Sequence, residues 1–283
     1  MLAKPGNTQS PETQKTDIQK EAQLTFSYAK TKILQEHFLK FAPNGKPLEW
    51  SAGFVERCQS RKLDPIEKAT IFVELVQYIS SMKNECWLLD VSNDFHERIE
   101  WSAIDELYFA DQYKWMEFGR GKIAELTYYG KDTQNKKLID TSIALVVDQL
   151  QCLIRTSGID AIAFTPHSKI RQIQLLKELK KKLDIHALKE IWLVKYAPYG
   201  TMIAQKSLKT RAQRIQNARE TILLSRESDV SDCNKILLID DFVWSWATLN
   251  ETAKKLKAAW ADMVIAFAFV GNANLQYDVI REI

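Results

Sequence analysis

The most informative stretch of the chain is residues 235–259, KILLIDDFVWSWATLNETAKKLKAA. An apolar run, Ile236 to Ile239, ends in two adjacent carboxylates, Asp240 and Asp241. A short turn with Val243, Trp244, Ser245 and Trp246 then leads through Ala247 and Thr248 into a helical pattern. Carboxylates side by side at the end of a buried strand can accept hydrogen bonds from the vicinal hydroxyls of a ribose, or hold a divalent cation through water. The amides of the turn and of the helix start face an anion, and Ser245 and Thr248 add hydroxyl donors. A bare Asp-Asp pair more often only ends a strand, with Thr248 as a helix cap; the whole string favours a ligand. A second turn, TPHSKIRQ at 165–172, offers His167, Ser168, Lys169 and Arg171, donors and cations suited to pyrophosphate.

Elements of alternating type must position these turns. AIAF (161–164), IWLVKY (191–196), KILLID (235–240) and MVIAFAFV (263–270) read as strands, and SAIDELYF (102–109) with the DQYKW after it as extended chain. Between them the spacing predicts a helix from Phe118 to Tyr129 closed by Gly130, and a long one carrying Leu138, Ile139, Ile143, Leu145, Val146, Leu150 and Leu153. Two more are expected, one with Ile173 to Leu183 as its stripe and one from Ala247 to Ala259. Such alternation implies an α/β fold whose mainly parallel sheet is flanked by helices, with ligands at the carboxyl ends of the strands. Residues 1–22 are polar and are expected to be a disordered tail. Residues 23–99 form a helical appendage, with patterns from Phe26 to Phe41 and, after Asp64-Pro65, from Ile66 to Ile79; 100–283 form the sheet domain.

These residues resemble a family. Ile236-Leu-Leu-Ile-Asp-Asp-Phe-Val, Ser245 and Ala247-Thr-Leu-Asn-Glu-Thr-Ala look like the phosphoribosyl pyrophosphate (PRPP) motif of type I phosphoribosyltransferases, specifically of ComF-like proteins. AIAFTPHSKIRQ is similar to that family's Val-Pro-Val-Pro-Leu-His-Arg-Arg segment, and Gln205 to Arg219 looks like its Gln-x-x-Leu-x-x-x-x-Arg-x-x-Asn segment. The resemblance implies a type I phosphoribosyltransferase-like fold and PRPP as ligand, with Mg²⁺ on its pyrophosphate. It places Asp240 and Asp241 on the ribose, residues 243–248 on the 5-phosphate, and His167, Ser168, Lys169 and Arg171 on the pyrophosphate. Transfer of ribose 5-phosphate with release of pyrophosphate is the implied reaction. Some phosphoribosyltransferases carry a carboxylate base where Trp244 stands here, so no catalytic residue is assigned. The resemblance equally implies a second class, a non-catalytic accessory of DNA uptake and competence that binds single-stranded DNA or protein partners. ComF-like proteins often begin with a cysteine-rich zinc module; the helical appendage takes its place, and no metal ligand is carried over.

The turn departs from the family at its glycines. Trp246 stands where the motif has Gly, Trp244 where it has a small residue, and Trp260 where a helix-stopping glycine is expected. The chain holds 9 glycines and 8 tryptophans, whereas average usage near 7% glycine gives about 20. An anion-cradling turn needs close backbone approach and positive φ, which an indole opposes. The expectation is that these tryptophans are UGA codons that the cell reads as glycine, with Trp115 and Trp50 as further candidates. The rival is a tryptophan-filled loop that no longer binds PRPP.

Composition narrows the rest. Net charge is +3 in 283 residues, so any preference for an anionic partner is local. It lies between Thr165 and Arg219, where 13 Lys/Arg face three acids, a difference of +10. That segment suits pyrophosphate first and single-stranded nucleic acid second, because interleaved aromatics are few: Trp192, Tyr196 and Tyr199. Cys58, Cys86, Cys152 and Cys233 lie far apart and are expected as reduced, mostly buried thiols. No apolar run is long enough to span a membrane and the start has no signal-like core, so a cytoplasmic protein without membrane insertion is expected, with a second copy of the chain, as a homo-oligomer, among its candidate partners. His37, His96 and His186 show no ligand spacing.

Overall fold

A computed structural model describes residues 27–99, 101–167, 169–197, 203, 207–243 and 246–272. The expected tail at 1–22, Ser168, Trp244, Ser245, Tyr199 and Gln205-Lys206 lie outside the described residues. The backbone separates into two compact units, one of residues up to Tyr78 with Trp115–Lys122, the other of Ile79–Lys114 with the chain from Ile123 onward. Residues 79–99, placed with the helical part by the sequence, thus cluster with the sheet.

The first unit holds α1 (Tyr28–His37), α2 (Trp50–Gln59) and most of α3 (Pro65–Ser81). Its core is aromatic: Phe38, Phe54, Phe72, Trp115 and Phe118 are all buried, and Phe54 stacks on Phe118 with ring centroids 5.7 Å apart. Trp115 packs against Phe72 at 5.6 Å.

The second unit follows the chain through β1 (Leu89–Asp90), α4 (Ser92–Arg98), β2 (Glu106–Gln112), α5 (Lys122–Thr133), α6 (Lys136–Ala144), α7 (Val147–Thr156) and β3 (Ala161–Phe164). It continues with α8 (Leu175–Lys180), β4 (Lys189–Ile191), β5 (Leu193–Lys195), α9 (Arg211–Thr221), β6 (Ile222–Leu224), β7 (Lys235–Phe242), α10 (Ala247–Ala258) and β8 (Met263–Gly271). Six strands form one sheet in the order β1-β2-β8-β7-β3-β4, parallel throughout except for the β1-β2 edge. β3, β8 and the Ile236–Ile239 run of β7 are apolar and almost wholly buried because helices cover both faces of a parallel sheet. β5 and β6 pair antiparallel in a separate ribbon.

The order contains a reversal. From β3 the chain crosses through α8 to β4 on one side; from β7 it crosses through α10 to β8 on the other. β3 and β7 are neighbours, so their outgoing connections part and leave a crevice at their carboxyl ends, the place where open α/β sheets bind ligands.

Several elements differ from their expected extent. The helix expected to close at Gly130 runs through it to Thr133, because Gly130 sits under Ile139 and Leu138 where a Cβ would be tight, not at a stop. The long helix is two, α6 and α7, broken at Leu145-Val146, and IWLVKY is split at Trp192 between the sheet and the ribbon. Cys86 and Cys152 are not free thiols: they form a disulfide, brought together by packing of elements 66 residues apart in sequence, a proximity no local spacing signals. Cys58 and Cys233 are buried as expected, and burial pushes the Cys58 thiol up to about 11.

Candidate ligand site at the strand crevice

Asp240 lies at the carboxyl end of β7, next to the end of β3. Thr165, the residue after β3, donates its hydroxyl to Asp240 Oδ1 at 2.8 Å, and the Asp241 amide donates to the same oxygen at 2.8 Å. Burial pushes the Asp240 carboxyl up to about 6, against the Thr165 hydrogen bond and the charges of Lys131 and Lys195, which favour its ionised form. Asp241 carries a different partner, an ion pair with Lys131 of α5, whose ammonium also sits 5.1 Å over the Phe242 ring. The two carboxylates are therefore held by different groups, one by a hydroxyl and one by a cation.

A cavity of about 620 Å³ opens over this pair, within the range of small-ligand sites. His167, Lys169 and Arg171 line it from the turn after β3, and Val243, Trp246 and Thr248 from the turn after β7. The turn after β3 is tied down by glutamines. The Gln174 amide donates to the carbonyls of Lys169 and Arg171 at 3.1 and 3.2 Å, and Gln134 Oε1 accepts from the Ile173 amide at 2.9 Å. Burial, then the nearby Lys177, lowers the pKa of His167, so the imidazole is a neutral hydrogen-bonding group more readily than a cation.

The turn after β7 is only partly suited to an anion. The Val243 amide already donates to the Val270 carbonyl at 3.1 Å, so it is committed to the sheet. Trp246 is the N-cap of α10 with φ 59°, its indole set between Phe95 and Phe109 at centroid distances of 5.1 and 5.6 Å. Ala247 and Thr248 open the helix, whose first amides have no intrahelical acceptor and form its positive end. Ala247 is buried and Thr248 reaches the cavity.

Groups that sequence reasoning passed over complete the site. Lys131, Thr165, Lys195 and Arg214 all line the cavity. Lys195, on β5, is pushed down to about 8 by burial and by Lys255, with Asp240 opposing. Arg214, on α9, donates through Nε and Nη2 to the Leu208 carbonyl at 3.2 and 3.1 Å. For Thr165 a signal existed, since a hydroxyl directly after a buried apolar run is placed like the aspartates that follow Ile236–Ile239.

Comparison with known proteins gives little. No protein-family model matches the chain, and no curated protein is found to be similar. Among solved structures, a hypoxanthine phosphoribosyltransferase from Staphylococcus aureus is similar over 47% of this chain and 72% of its own, at 12% identity and a TM-score of 0.30.

The described residues contain no cluster of three metal-ligating side chains. Asp240 and Asp241 fit the one or two carboxylates by which Mg²⁺ is held when it arrives on a substrate's phosphates, not a dedicated cage. No described helix is long and apolar enough to cross a membrane.

Proposed function

We propose that this chain binds PRPP in the crevice between β3 and β7 and is a protein of phosphoribosyltransferase type, ComF-like in its motifs. The observation that carries this reading is the pairing across the crevice of adjacent carboxylates at the end of β7 with a cationic turn after β3, in one cavity. Asp240 and Asp241 accept from the two ribose hydroxyls, which requires Lys131 to share Asp241 with the ligand. Lys169, Arg171 and His167, with Ser168 from the sequence motif, receive the pyrophosphate. The start of α10, with Thr248 and Ser245, receives the 5-phosphate. Asp240 and Asp241 would hold a Mg²⁺ ion arriving with PRPP, and that ion would supply neutralisation of charge on the pyrophosphate. The chain's own contribution is to orient the ribose and to offset the phosphate charges, and no residue is assigned to activate an acceptor. A glycine at 244 and 246 is what close approach of a phosphate to this turn requires.

A PRPP titration with Mg²⁺ tests the reading. Asp240→Asn with Asp241→Asn should abolish measurable binding, since lost hydrogen bonds to charged acceptors weaken binding by about 1.5–3 kcal/mol each. Lys169→Ala with Arg171→Ala should weaken PRPP more than ribose 5-phosphate, because only PRPP brings the pyrophosphate. Equal losses for both ligands would contradict the placement.

The second reading, a DNA-uptake accessory, is favoured by one observation. Trp192 and Tyr196 are exposed on either side of β5, and aromatic stacking platforms of this kind serve single strands. Among the described cations of the 165–219 segment, however, Lys180, Lys181, Lys189 and Arg219 are ion-paired. Salt-sensitive single-strand binding in the absence of PRPP binding would make this the function.

A further inference from the structure

We infer that positions 87, 246 and 260 are glycine in the protein the cell makes, because UGA codons of its gene are translated as glycine. The inference extends the composition argument to Trp87 and stands on the backbone, independently of any ligand.

Trp260 follows the C-cap of α10. The Ala261 amide donates to the Leu256 carbonyl at 3.0 Å and the Trp260 amide to the Lys257 carbonyl at 3.1 Å, with φ 76° at Trp260. This pair of bonds around a left-handed residue is the Schellman helix ending, whose left-handed position is normally glycine. The indole is 79% exposed, so packing gives no reason for it.

Trp87 closes a tight hairpin. Lys83 bridges Leu89, the Asn84 amide donates to the Leu88 carbonyl at 2.8 Å, and the Trp87 amide donates back to the Asn84 carbonyl at 2.9 Å. The loop is therefore Glu85, Cys86 and Trp87, with φ 59° at its last residue. Three-residue hairpin loops place glycine at that left-handed position. The Trp87 side chain, too, is largely exposed.

Trp246 is an N-cap with φ 59° and no side-chain bond to the helix, whereas an N-cap is ordinarily a small polar residue or glycine. Here the indole has partners, Phe95 and Phe109, and only the backbone argues for glycine.

The three belong together. Six non-glycine residues among those described have positive φ: Lys62, Trp87, Met116, Gln134, Trp246 and Trp260. Half are tryptophan, a residue that makes up 8 of 283, and none is Asn, Asp or His, which normally dominate such positions. At a few per cent per residue, seven described tryptophans should yield well under one left-handed example. A single substitution rule accounts for these positions and narrows the glycine shortfall, from 9 to 12 glycines. The backbone makes no such demand at Trp50, inside α2, or at Trp115, with φ −97°, so those codons do not enter the test.

The test is the coding DNA together with peptide masses from protein isolated from the source cells. TGA at 87, 246 and 260 with glycine masses in the native peptides is the expected result. TGG at any of the three, or a tryptophan mass there, overturns the inference. A glycine copy that fails to bind PRPP counts against the ligand reading and leaves the codon result standing.

Discussion

Substitutions at Trp260 can separate the backbone from the side chain. Trp260→Gly and Trp260→Ala remove the same exposed indole, so the difference between the two variants reports what a Cβ costs at φ 76°. A left-handed L-residue is disfavoured by roughly 1–2 kcal/mol. Glycine's extra freedom in the unfolded chain returns roughly 0.5–1 kcal/mol of that. The Schellman bonds of Ala261 and Trp260 fix the conformation, so the chain cannot escape by relaxing φ without losing two hydrogen bonds. Glycine should therefore exceed alanine by about 1 kcal/mol, roughly a fivefold change in the unfolding constant. Gln216 is the control, an exposed residue in the middle of α9. There the order should reverse, with Gln216→Ala more stable than Gln216→Gly by about 1 kcal/mol. Urea titration reads both pairs as midpoint differences at unchanged slope. Alanine equal to or better than glycine at position 260 would refute the glycine argument whatever the codons show.

Other outcomes follow from the site and its surroundings. Asp240 is raised in the folded state to about 6, from an unfolded value of 3.8. The native state thus holds the proton more tightly, and stability should fall as pH rises from about 4 to about 6. Asp240→Asn should flatten that slope, leaving the similar contribution of the buried Asp111, also raised to about 6. PRPP binding should run the opposite way, weakening up to tenfold per unit below pH 6 as the acceptor carboxylate is protonated; a binding curve flat from pH 5 to 7 would remove Asp240 from the ribose. Lys131→Met leaves Asp241 without its cation. With both side chains mostly but not fully buried, the cost should lie between exposed and buried pairs, about 2 kcal/mol in a urea titration. Finally, the Cys86–Cys152 disulfide closes a span of 66 residues, for which chain entropy gives about 4 kcal/mol. Cys152→Ser should lower the urea midpoint under oxidising conditions and leave the reduced midpoint nearly unchanged.

What the sequence made legible was the sheet. AIAF, KILLID and MVIAFAFV are continuous apolar runs because parallel strands covered on both faces lose the alternation that marks half-exposed ones, and their lengths fall short of helices. Once those strands alternate with helices, the carboxyl ends follow, and with them the location of Asp240 and of the 165–172 turn. The partners of the carboxylates were not legible. Lys131 reaches Asp241 across 110 residues and Thr165 reaches Asp240 across 75, and no local pattern records which helix face turns toward the crevice. The break at Leu145-Val146 was hidden for a related reason, since neither residue is a breaker and the apolar stripe continues through it.

The tryptophans show how a local rule becomes readable when it fails. Composition alone shows a shortage of glycine and cannot say where glycine belongs. The PRPP-like motif points to 244 and 246, and the helix end to 260, but each rests on a pattern. The backbone assigns a location without either: φ is positive at 87 and 260 because a hairpin loop and a helix stop impose it, and it is positive at 246, where a helix start ordinarily has extended backbone. Of these, 87 had no motif to mark it, since the loop Glu85-Cys86-Trp87 between the paired Asn84 and Leu88 contains none of the usual turn residues. Where the side chain is solvent-exposed, at 87 and 260, nothing in the packing repays the left-handed strain. At 246 two phenyl rings do. Glycine in place of Trp246 should therefore be the one exchange of the three that gains backbone freedom at the expense of ring contacts, and the one that changes what the crevice can admit.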